Sequence, residues 1–449
     1  MKAYYDICVA GGGPAGITTG VKLHRLGYQV LIIASGNPSN RPNLQSISPG
    51  VLTLIDAIGL DAEKIRHCLR PIRNTRKYWN SVEEEISQPP GFLVHRHIFD
   101  DELLKAARNI GVHVVRPAAL SYYCFADKIW ELKLSDGQVF SANFLVDATG
   151  KKSLLRTTKI RIGLQTIAVT GSWKNSEHSS LNTLLESSPE NWFWGAKLSD
   201  NLFQATVFTN LSSIVGKSML MEHYLNAIRS TNLFRNCLHS SLNGKLTTID
   251  VTPYFYKNPI CSNFIKVGEA ALGIDPISSQ GVQTAMANSI QGAIAINTIM
   301  KYPEQLNMVK EFYSSHLQDI IKSHLSNVSK TYSSSTHLQI NPGIRVKSDH
   351  WDKSTQIRTS EKVRWKLMAC IEGDLITSKM ALVHPGLPFP MVYWQNLAME
   401  KVIDTISSNQ TVSNLLNSWT HLMQSASALE LLTVLREAGV IDEWLPVIS

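Results

Sequence analysis

The sequence predicts a mixed α/β fold: a Rossmann-like nucleotide-binding domain that is interrupted by an antiparallel β-sheet and followed by a small, mainly helical extension. An apolar run ending in Gly-x-Gly-x-x-Gly comes first, alternating segments fill the middle, and a strand followed by a long helix returns near residue 265. We expect the nucleotide domain over 1–160 and 252–330, the sheet over 161–251 and the extension over 331–449.

The glycine motif directly follows the predicted first strand. Residues 6–10 are mainly apolar, and Gly11, Gly13 and Gly16 precede a helical pattern. Gly11 permits a sharp turn, Gly13 lets a pyrophosphate approach the backbone, and Gly16 lets the helix pack close to the strand. The helix then directs free N–H groups at the phosphates. The motif predicts dinucleotide binding.

One expected side chain is missing after the second predicted strand. The fingerprint normally ends that strand with an acid that binds ribose hydroxyls. Here Ile33 is followed by Ala34, Ser35 and Gly36. Ser35 offers a weaker hydrogen bond, so we expect the nucleotide to be held less tightly or by other parts of the chain.

Composition excludes several functional classes. The 449 residues carry a net charge of +7, and no Lys/Arg-rich run predicts nucleic-acid binding. The six cysteines are scattered without a C-x-x-C pair, which favours a cytoplasmic protein without a metal site. No apolar run is long enough to span a membrane. Glycines and a proline interrupt the apolar N-terminus, so we interpret it as a strand rather than a secretion signal.

The middle of the chain divides into three stretches. Residues 61–90 are charged, and we favour a solvated helical face there over an anion-attracting surface near the cofactor. His95 to Leu104 predicts a strand edge running into a helix. Alternating segments within 165–209 predict the antiparallel sheet, with a helix over 219–228.

Later helices follow from apolar periodicity and capping residues. Long helices are predicted over 282–300 and 304–328, and shorter ones over 412–423 and from the capping box at Ser427 to Gly439. The shorter pair resembles a helix-turn-helix in spacing. Residues 411–449 contain Arg436 as their only Lys or Arg, however, against four acids, so DNA binding is not expected there.

Three separated motifs together resemble a known superfamily. They are the Gly11–Gly16 motif, Asp147-Ala-Thr-Gly150 followed by basic residues, and Gly268-Glu-Ala-Ala-Leu-Gly-Ile-Asp-Pro276-Ile-Ser-Ser-Gln-Gly281. Their order resembles FAD monooxygenases of the aromatic hydroxylase fold and the related flavin-dependent halogenases, over about residues 1–330. The resemblance implies a glutathione-reductase-type FAD domain.

The resemblance also implies the FAD contacts. Glu269 stands where the family usually has Asp, so its longer carboxylate reaches the ribityl chain with altered geometry. The family's proline loop and the following helix lie against the flavin ring, whose negative charge helix N–H groups stabilise. The implied cofactor residues are Gly11, Gly13, Pro14, Ala15, Gly16, Ser35, Arg41, Arg96, Asp147, Gly150, Gly268, Glu269, Gln280 and Gly281.

For enzymes of this kind, the resemblance implies hydroxylation of an electron-rich aromatic ring through a flavin C4a-hydroperoxide, with O2 as co-substrate. His95 and His97 are candidates to accept the proton lost on rearomatisation, although each also fits an ordinary surface or core histidine. Trp192 and Trp194 either line the substrate cavity or pack the sheet. Pro276 completes the predicted catalytic set.

A halogenase is the rival enzyme. Halogenases direct hypohalous acid to a lysine and carry Trp-x-Trp-x-Ile-Pro, whereas this chain has the two tryptophans without Ile-Pro. Lys77 lies in the region where such a lysine is sought. The same motifs also fit a flavin-binding partner protein without catalysis, or a prenyl-lipid reductase of the same fold.

A narrower resemblance is to flavoprotein hydroxylases that mature tryptophylquinone cofactors in a partner polypeptide. It depends on Arg41-Pro42, residues 48–52, residues 95–100, and Pro189–Trp194 followed by residues 206–209. It implies a tryptophan side chain in a protein or peptide as substrate, and residues 331–449 would then dock that protein. With one dinucleotide motif present, we expect reduction by transiently bound NAD(P)H or by a separate flavin reductase.

Overall fold

The computed structural model describes residues 3–36, 44–174, 183–214, 219–333, 352–407 and 410–444. The chain forms two compact units, residues 1–338 and 339–449. The helices of the first unit are α1 Pro14–Arg25, α2 Gly50–Ala57, α3 Arg96–Asn109, α4 Leu220–Arg229, α5 Gly281–Lys301 and α6 Leu306–Ser333.

The described part of the first unit also contains the strands of the two predicted sheets and of two smaller three-stranded sheets, β3-β7-β4 and β12-β19-β21. They are β1 Ala3–Ala10, β2 Val30–Ile33, β3 Leu44–Ile47, β4 Arg70–Pro71, β5 Asn74–Trp79, β6 Val82–Ser87, β7 Phe92–His95, β8 His113–Val115, β9 Leu120–Ala126, β10 Ile129–Leu134, β11 Val139–Asp147, β12 Lys159–Arg161, β13 Thr166–Lys174, β14 Thr183–Ser187, β15 Trp192–Ser199, β16 Leu202–Asn210, β17 Ser241–Leu242, β18 Thr247–Asp250, β19 Tyr254–Tyr256, β20 Phe264–Lys266 and β21 Leu272–Gly273.

The nucleotide-binding sheet has the order β8-β2-β1-β11-β10-β9, with β20 also paired to β11. Strands β8, β2, β1, β11 and β20 are parallel, which is the arrangement expected when helices cover a sheet of buried apolar strands. Helix α1 packs against α5. The mixed α/β fold class is therefore confirmed.

The second sheet of this unit has the order β17-β13-β16-β15-β14-β5-β6, with β18 paired to β13. Its strands β13 to β18 lie within the segment expected to form an antiparallel sheet. The hairpin β5–β6 joins it from residues 74–87, so the helical face predicted there is wrong. Its charges pair across the hairpin instead: Arg76 with Glu83 at 2.7 Å, and Lys77 with Glu84 at 3.6 Å.

The two faces of this sheet have different partners. One face is covered by α4, in a core that includes Val169, Phe193 and Tyr224. The opposite face carries Trp79, Ala168, Trp192 and Phe208, and Ile277 from the loop before α5 packs against them. We call this second group the aromatic cluster. It brings the sheet next to the proline loop of the nucleotide domain.

The second unit combines helices with strands that sequence analysis did not predict. Buried Trp419, Leu415 and Leu431 lie in its core. Its elements are β22 Gln356–Thr359, β23 Arg364–Glu372, β24 Leu375–Val383, β25 Tyr393–Trp394, β26 Leu397–Ala398, α7 Met399–Ile403, β27 Gln410–Thr411, α8 Val412–Trp419, α9 Ser425–Glu437 and β28 Ile441–Glu443. Across the described residues, no helix is both long and apolar enough to cross a membrane.

Candidate active site

The phosphate turn has the geometry that its glycines predict. A Cβ on Gly11, whose φ is +123°, would lie 2.2 Å from the Ala148 carbonyl oxygen, and a Cβ on Gly16 would lie 1.9 Å from the Gly11 carbonyl oxygen. A Cβ on Gly13 would meet nothing within 4 Å. Helix α1 begins next, at Pro14, and no side chain caps it. The turn therefore leaves room and free N–H groups for a pyrophosphate.

The ribose end of the site lacks a carboxylate at the predicted position. Strand β2 ends at Ile33, Ala34 is buried, and Ser35 is exposed. The Ser35 hydroxyl remains the candidate ribose contact. Arg41, the other predicted contact in this stretch, lies outside the described residues.

Arg96 is a fixed cation at the start of α3. Its guanidinium donates two hydrogen bonds to the Asp100 carboxylate, at 3.2 and 3.1 Å, and one to Gln45 Oε1 at 2.9 Å. Burial alone would lower the pKa of Arg96, but Asp100 and Glu269 more than offset it and the pKa is raised. The predicted residue Glu269 thus lies close enough for its charge to help raise the pKa of Arg96.

Glu269 is presented at the mouth of the phosphate turn. It is exposed between the buried residues Gly268 and Ala270. A Cβ on Gly268, whose φ is +58°, would lie 2.4 Å from the Ala15 Cβ, so the glycine permits close contact with α1. A Cβ on Gly150 would lie 4.0 Å from Glu269 Oε2. The three sequence motifs therefore meet at one place.

Asp147, one of the predicted cofactor residues, is fully buried. Its carboxylate accepts hydrogen bonds from the Thr149 hydroxyl at 2.6 Å, the Ser153 hydroxyl at 2.8 Å and the Leu155 N–H at 2.9 Å. It also pairs with the equally buried Lys266 at 3.6 Å. These contacts fix the loop that carries Gly150, so we interpret Asp147 as a residue that shapes the site.

The start of the proline loop is fixed by two hydrogen bonds of Asp275. Asp275 Oδ1 accepts the Ile277 N–H at 2.9 Å, and the Asp275 N–H donates to His324 Nε2 on α6, also at 2.9 Å. That acceptor role requires a neutral imidazole, and burial lowers the pKa of His324 accordingly. Sequence analysis missed His324, since nothing in the chain order links α6 to this loop. Pro276 begins the loop's single helical turn, and Gln280 and Gly281 form the start of α5.

His95 and His97 flank Arg96, and their ring centroids are 6.0 Å apart. His95 is half-buried, and burial, followed by the charges of His97 and Arg70, lowers its pKa. His95 is therefore neutral at pH 7 and able to accept a proton.

The predicted tryptophans lie on the face that carries the aromatic cluster. Trp192 stacks on Phe208 with 3.5 Å between ring centroids and 2° between planes, and Trp194 is half-buried beside them. Trp79 also belongs to the cluster. The charged composition of 61–90 predicts a helical surface and so hides Trp79, although the adjacent aromatic residues Tyr78 and Trp79 favour a strand.

Lys77 lies on the same face of the sheet. It pairs in register with Leu185, which pairs with Trp194, and paired residues on neighbouring strands point to the same side. At the halogenase Ile-Pro positions stand Ala196 and Lys197, and both pair in register with β16. A proline at Lys197 would remove a backbone donor from this strand.

Comparison with known proteins assigns the family. The tryptophan halogenase family matches residues 87–366. A tryptophan 2-halogenase from Chondromyces crocatus is 24% identical over 332 residues, which are 68% of this chain and 64% of the relative. LodB from Marinomonas mediterranea, named as an FAD-dependent oxidoreductase, is 24% identical over 69% of this chain and 90% of its own length. The chain thus spans about two thirds of the halogenase relative's length.

Two solved structures share the fold. The peptidyl tryptophan dihydroxylase QhpG, described as essential for tryptophylquinone cofactor biogenesis, superposes with a TM-score of 0.77 at 20% identity, covering 97% of this chain and 100% of its own. The flavin-dependent halogenase CmlS superposes with a TM-score of 0.73 at 16% identity, and the superposition covers 99% of this chain and 96% of CmlS. The predicted superfamily is confirmed, and the chain belongs to the tryptophan halogenase family.

Proposed function

We propose that this protein is an FAD-dependent monooxygenase that oxygenates an electron-rich aromatic ring, with a tryptophan side chain in a polypeptide as the preferred substrate. The observation that carries the proposal is the contact between Ile277 of the proline loop and the aromatic cluster around Trp192. An aromatic substrate that packs on this cluster lies beside the loop expected to contact the flavin.

The residues present fit FAD. The open turn at Gly13 suits the pyrophosphate, the exposed Glu269 suits the ribityl hydroxyls, and the residues before α5 suit the flavin ring. Ser278 Oγ is buried beside Ile277 without a hydrogen-bond partner among the described residues, so a polar group of the cofactor would satisfy it. When bound and reduced, FAD supplies the electrons that activate O2.

The side chains of this protein position the substrate and manage its proton. Trp192 and Phe208 form an apolar platform that excludes water and holds a ring by stacking. Neutral His95 can then accept the proton that the ring carbon loses.

A fold likeness supports a peptide substrate. The fold likeness to QhpG, named as a peptidyl tryptophan dihydroxylase, covers nearly the whole chain. Strand β15 continues through Lys197, where the halogenase motif has a proline, and this difference from the motif favours oxygenation over halogenation. The second unit is a candidate docking surface for the polypeptide, and a separate reductase or NAD(P)H is the expected electron source.

Halogenation is the second candidate function, because Lys77 lies on the aromatic face and the family is named for that reaction. We would supply the FAD-loaded protein with a flavin reductase, oxygen, bromide and a tryptophan-containing peptide. The proposal predicts a peptide that gains oxygen, in wild type and in Lys77→Ala alike. A bromine isotope pattern that disappears in Lys77→Ala would establish the halogenase instead.

A flavin-binding partner protein without catalysis would fit the missing acid at Ala34 and Ser35. In that case the bound flavin would resist both reduction and reoxidation, whichever reductase or partner is added. Normal redox cycling with no product from any aromatic compound would point to a missing substrate. Turnover without oxygen would indicate a reductase.

A further inference from the structure

We propose that Trp79 and Asn191 form a recognition site for a backbone amide of the substrate, so that this protein selects an aromatic side chain within a peptide over a free indole. The inference rests on the proposed function, and it assigns the groups that distinguish a peptide from a small molecule. It begins from two buried polar atoms that have no partner among the described residues: Trp79 Nε1 and Asn191 Oδ1.

Trp79 differs from the tryptophans whose indole N–H has a hydrogen-bond partner among the described residues. Its side chain is 7% exposed, yet its N–H has no acceptor. Other indole groups in this chain donate to a defined oxygen: Trp130 to Asn263 O at 2.8 Å, Trp173 to Tyr224 Oη at 3.0 Å, Trp394 to Ser427 Oγ at 2.9 Å and Trp419 to Thr405 Oγ1 at 2.8 Å. A buried indole N–H normally finds a partner, so the unmatched donor indicates an acceptor that comes with a ligand.

Asn191 provides an unmatched acceptor. Its backbone is fixed, because its N–H donates to Ser188 Oγ at 3.1 Å and its carbonyl accepts the Ser188 N–H at 2.8 Å. Its side-chain oxygen is buried and accepts nothing among the described residues. The turn that holds Asn191 leads directly into Trp192 of the aromatic cluster.

Both groups lie at one end of the sheet. Trp79 is the last residue of β5, and the next residue, Asn80, donates its N–H to Ser187 Oγ at 3.3 Å. Ser187 ends β14 and pairs in register with Trp192, the residue after Asn191. Strand β14 therefore lies between β5, whose last residue carries the donor, and β15, which begins directly after the acceptor residue Asn191.

An amide is the common group that satisfies both atoms. Its carbonyl accepts from the Trp79 N–H, and its N–H donates to Asn191 Oδ1. A carboxylate would supply only acceptors and leave Asn191 unmatched. A bare indole ring has no acceptor for Trp79, and sites with buried polar groups discriminate strongly against ligands that leave them unpaired. The aromatic side chain of the same residue would then pack on Trp192 and Phe208.

The test measures binding to the oxidised, FAD-loaded full chain by calorimetry. The two probes are N-acetyl-tryptophan methylamide, which carries amides on both sides of the residue, and skatole, the bare methylindole ring. The variants are Trp79→Phe and Asn191→Ala. The matched control is Trp173→Phe, which removes an indole N–H that already has a partner on the opposite face of the sheet.

We expect wild type to bind the amide probe more tightly than skatole. Trp79→Phe should weaken the amide probe roughly tenfold, as expected for one buried hydrogen bond, and leave skatole unchanged. Its melting temperature should fall less than that of Trp173→Phe, because both variants lose ring volume but only Trp173→Phe also loses a hydrogen bond. Asn191→Ala should show the same selectivity loss, whereas Trp173→Phe should melt earlier and keep the wild-type preference.

Two results would overturn the inference, and they can be told apart. If wild type binds both probes and Trp79→Phe keeps the full preference for the amide, the Trp79 N–H does not recognise the substrate, while the proposed function stands. If wild type binds neither probe, the proposal that tryptophan is the substrate is refuted, and the inferred amide-recognition site is refuted as well.

Discussion

Replacing Gly268 by alanine should loosen the place where the three sequence motifs meet. The residue has φ +58°, and a left-handed conformation costs a non-glycine residue about 1–2 kcal/mol. The new Cβ would also lie 2.4 Å from the Ala15 Cβ, and relieving such overpacking costs about 1–3 kcal/mol. Gly268→Ala should therefore lower the free energy of unfolding by roughly 2–5 kcal/mol.

The matched control is Gly137→Ala. Gly137 has φ +90° in a hairpin turn, and a Cβ there would meet nothing within 4 Å, so this variant carries the backbone cost without the clash. Urea unfolding gives the stability of each variant, and flavin fluorescence gives its FAD affinity. We expect FAD affinity to fall about tenfold or more in Gly268→Ala, since Glu269 and α1 separate, and to stay constant in Gly137→Ala. Equal FAD affinity in the two variants would refute the contact between Gly268 and α1 as a determinant of the cofactor site.

Three further predictions follow from the buried charges and histidines. Lys266→Met should lower the free energy of unfolding in urea by about 3–5 kcal/mol, because Asp147 stays buried without its cation. Adding Asp147→Asn should recover part of that loss. If the effects of the two substitutions simply add in the double variant, the pairing is contradicted. Burial lowers the pKa of His324 in the folded state below its ordinary value of 6.5. As the pH falls below 6.5, the unfolded chain therefore takes up a proton before the folded chain does, and the free energy of unfolding should fall until the pH reaches the folded-state pKa. His324→Gln keeps an acceptor for Asp275 and should reduce this acid sensitivity in pH-dependent melting, whereas an unchanged pH profile would exclude His324. His95→Ala should slow turnover about a hundredfold at unchanged FAD affinity, as expected for loss of a general base, and full activity would assign the proton to another group.

The nucleotide domain was largely predictable because its signals are local. The turn at Gly11, Gly13 and Gly16 lies between a strand and a helix in a continuous stretch, and α5 follows its loop directly. Apolar periodicity and glycine positions fix such elements without knowledge of distant partners. The common location of the three motifs around FAD was implied only by the resemblance to FAD monooxygenases. The close approach of Gly268 to Ala15 of α1 shows how the chain brings two of them together.

The missed parts depend on contacts between distant residues. Strand β5 pairs in parallel with β14, placing Thr75 opposite Thr183, and the three glutamates of β6 suit a solvated helix as well as an edge strand. Once β5 was mistaken for helix, Trp79 could not be assigned to the aromatic face. His324 was missed for the same reason, because its partner Asp275 is 49 residues away.

The most direct test of the central claim follows the fate of molecular oxygen. The FAD-loaded protein would be supplied with a flavin reductase, isotope-labelled dioxygen, bromide and a tryptophan-containing peptide, and the peptide analysed by mass spectrometry. Our account predicts labelled oxygen on the tryptophan ring, with less product in Trp192→Ala, which loses the platform, and equal product in Lys77→Ala. A brominated peptide without labelled oxygen would contradict the proposed monooxygenase.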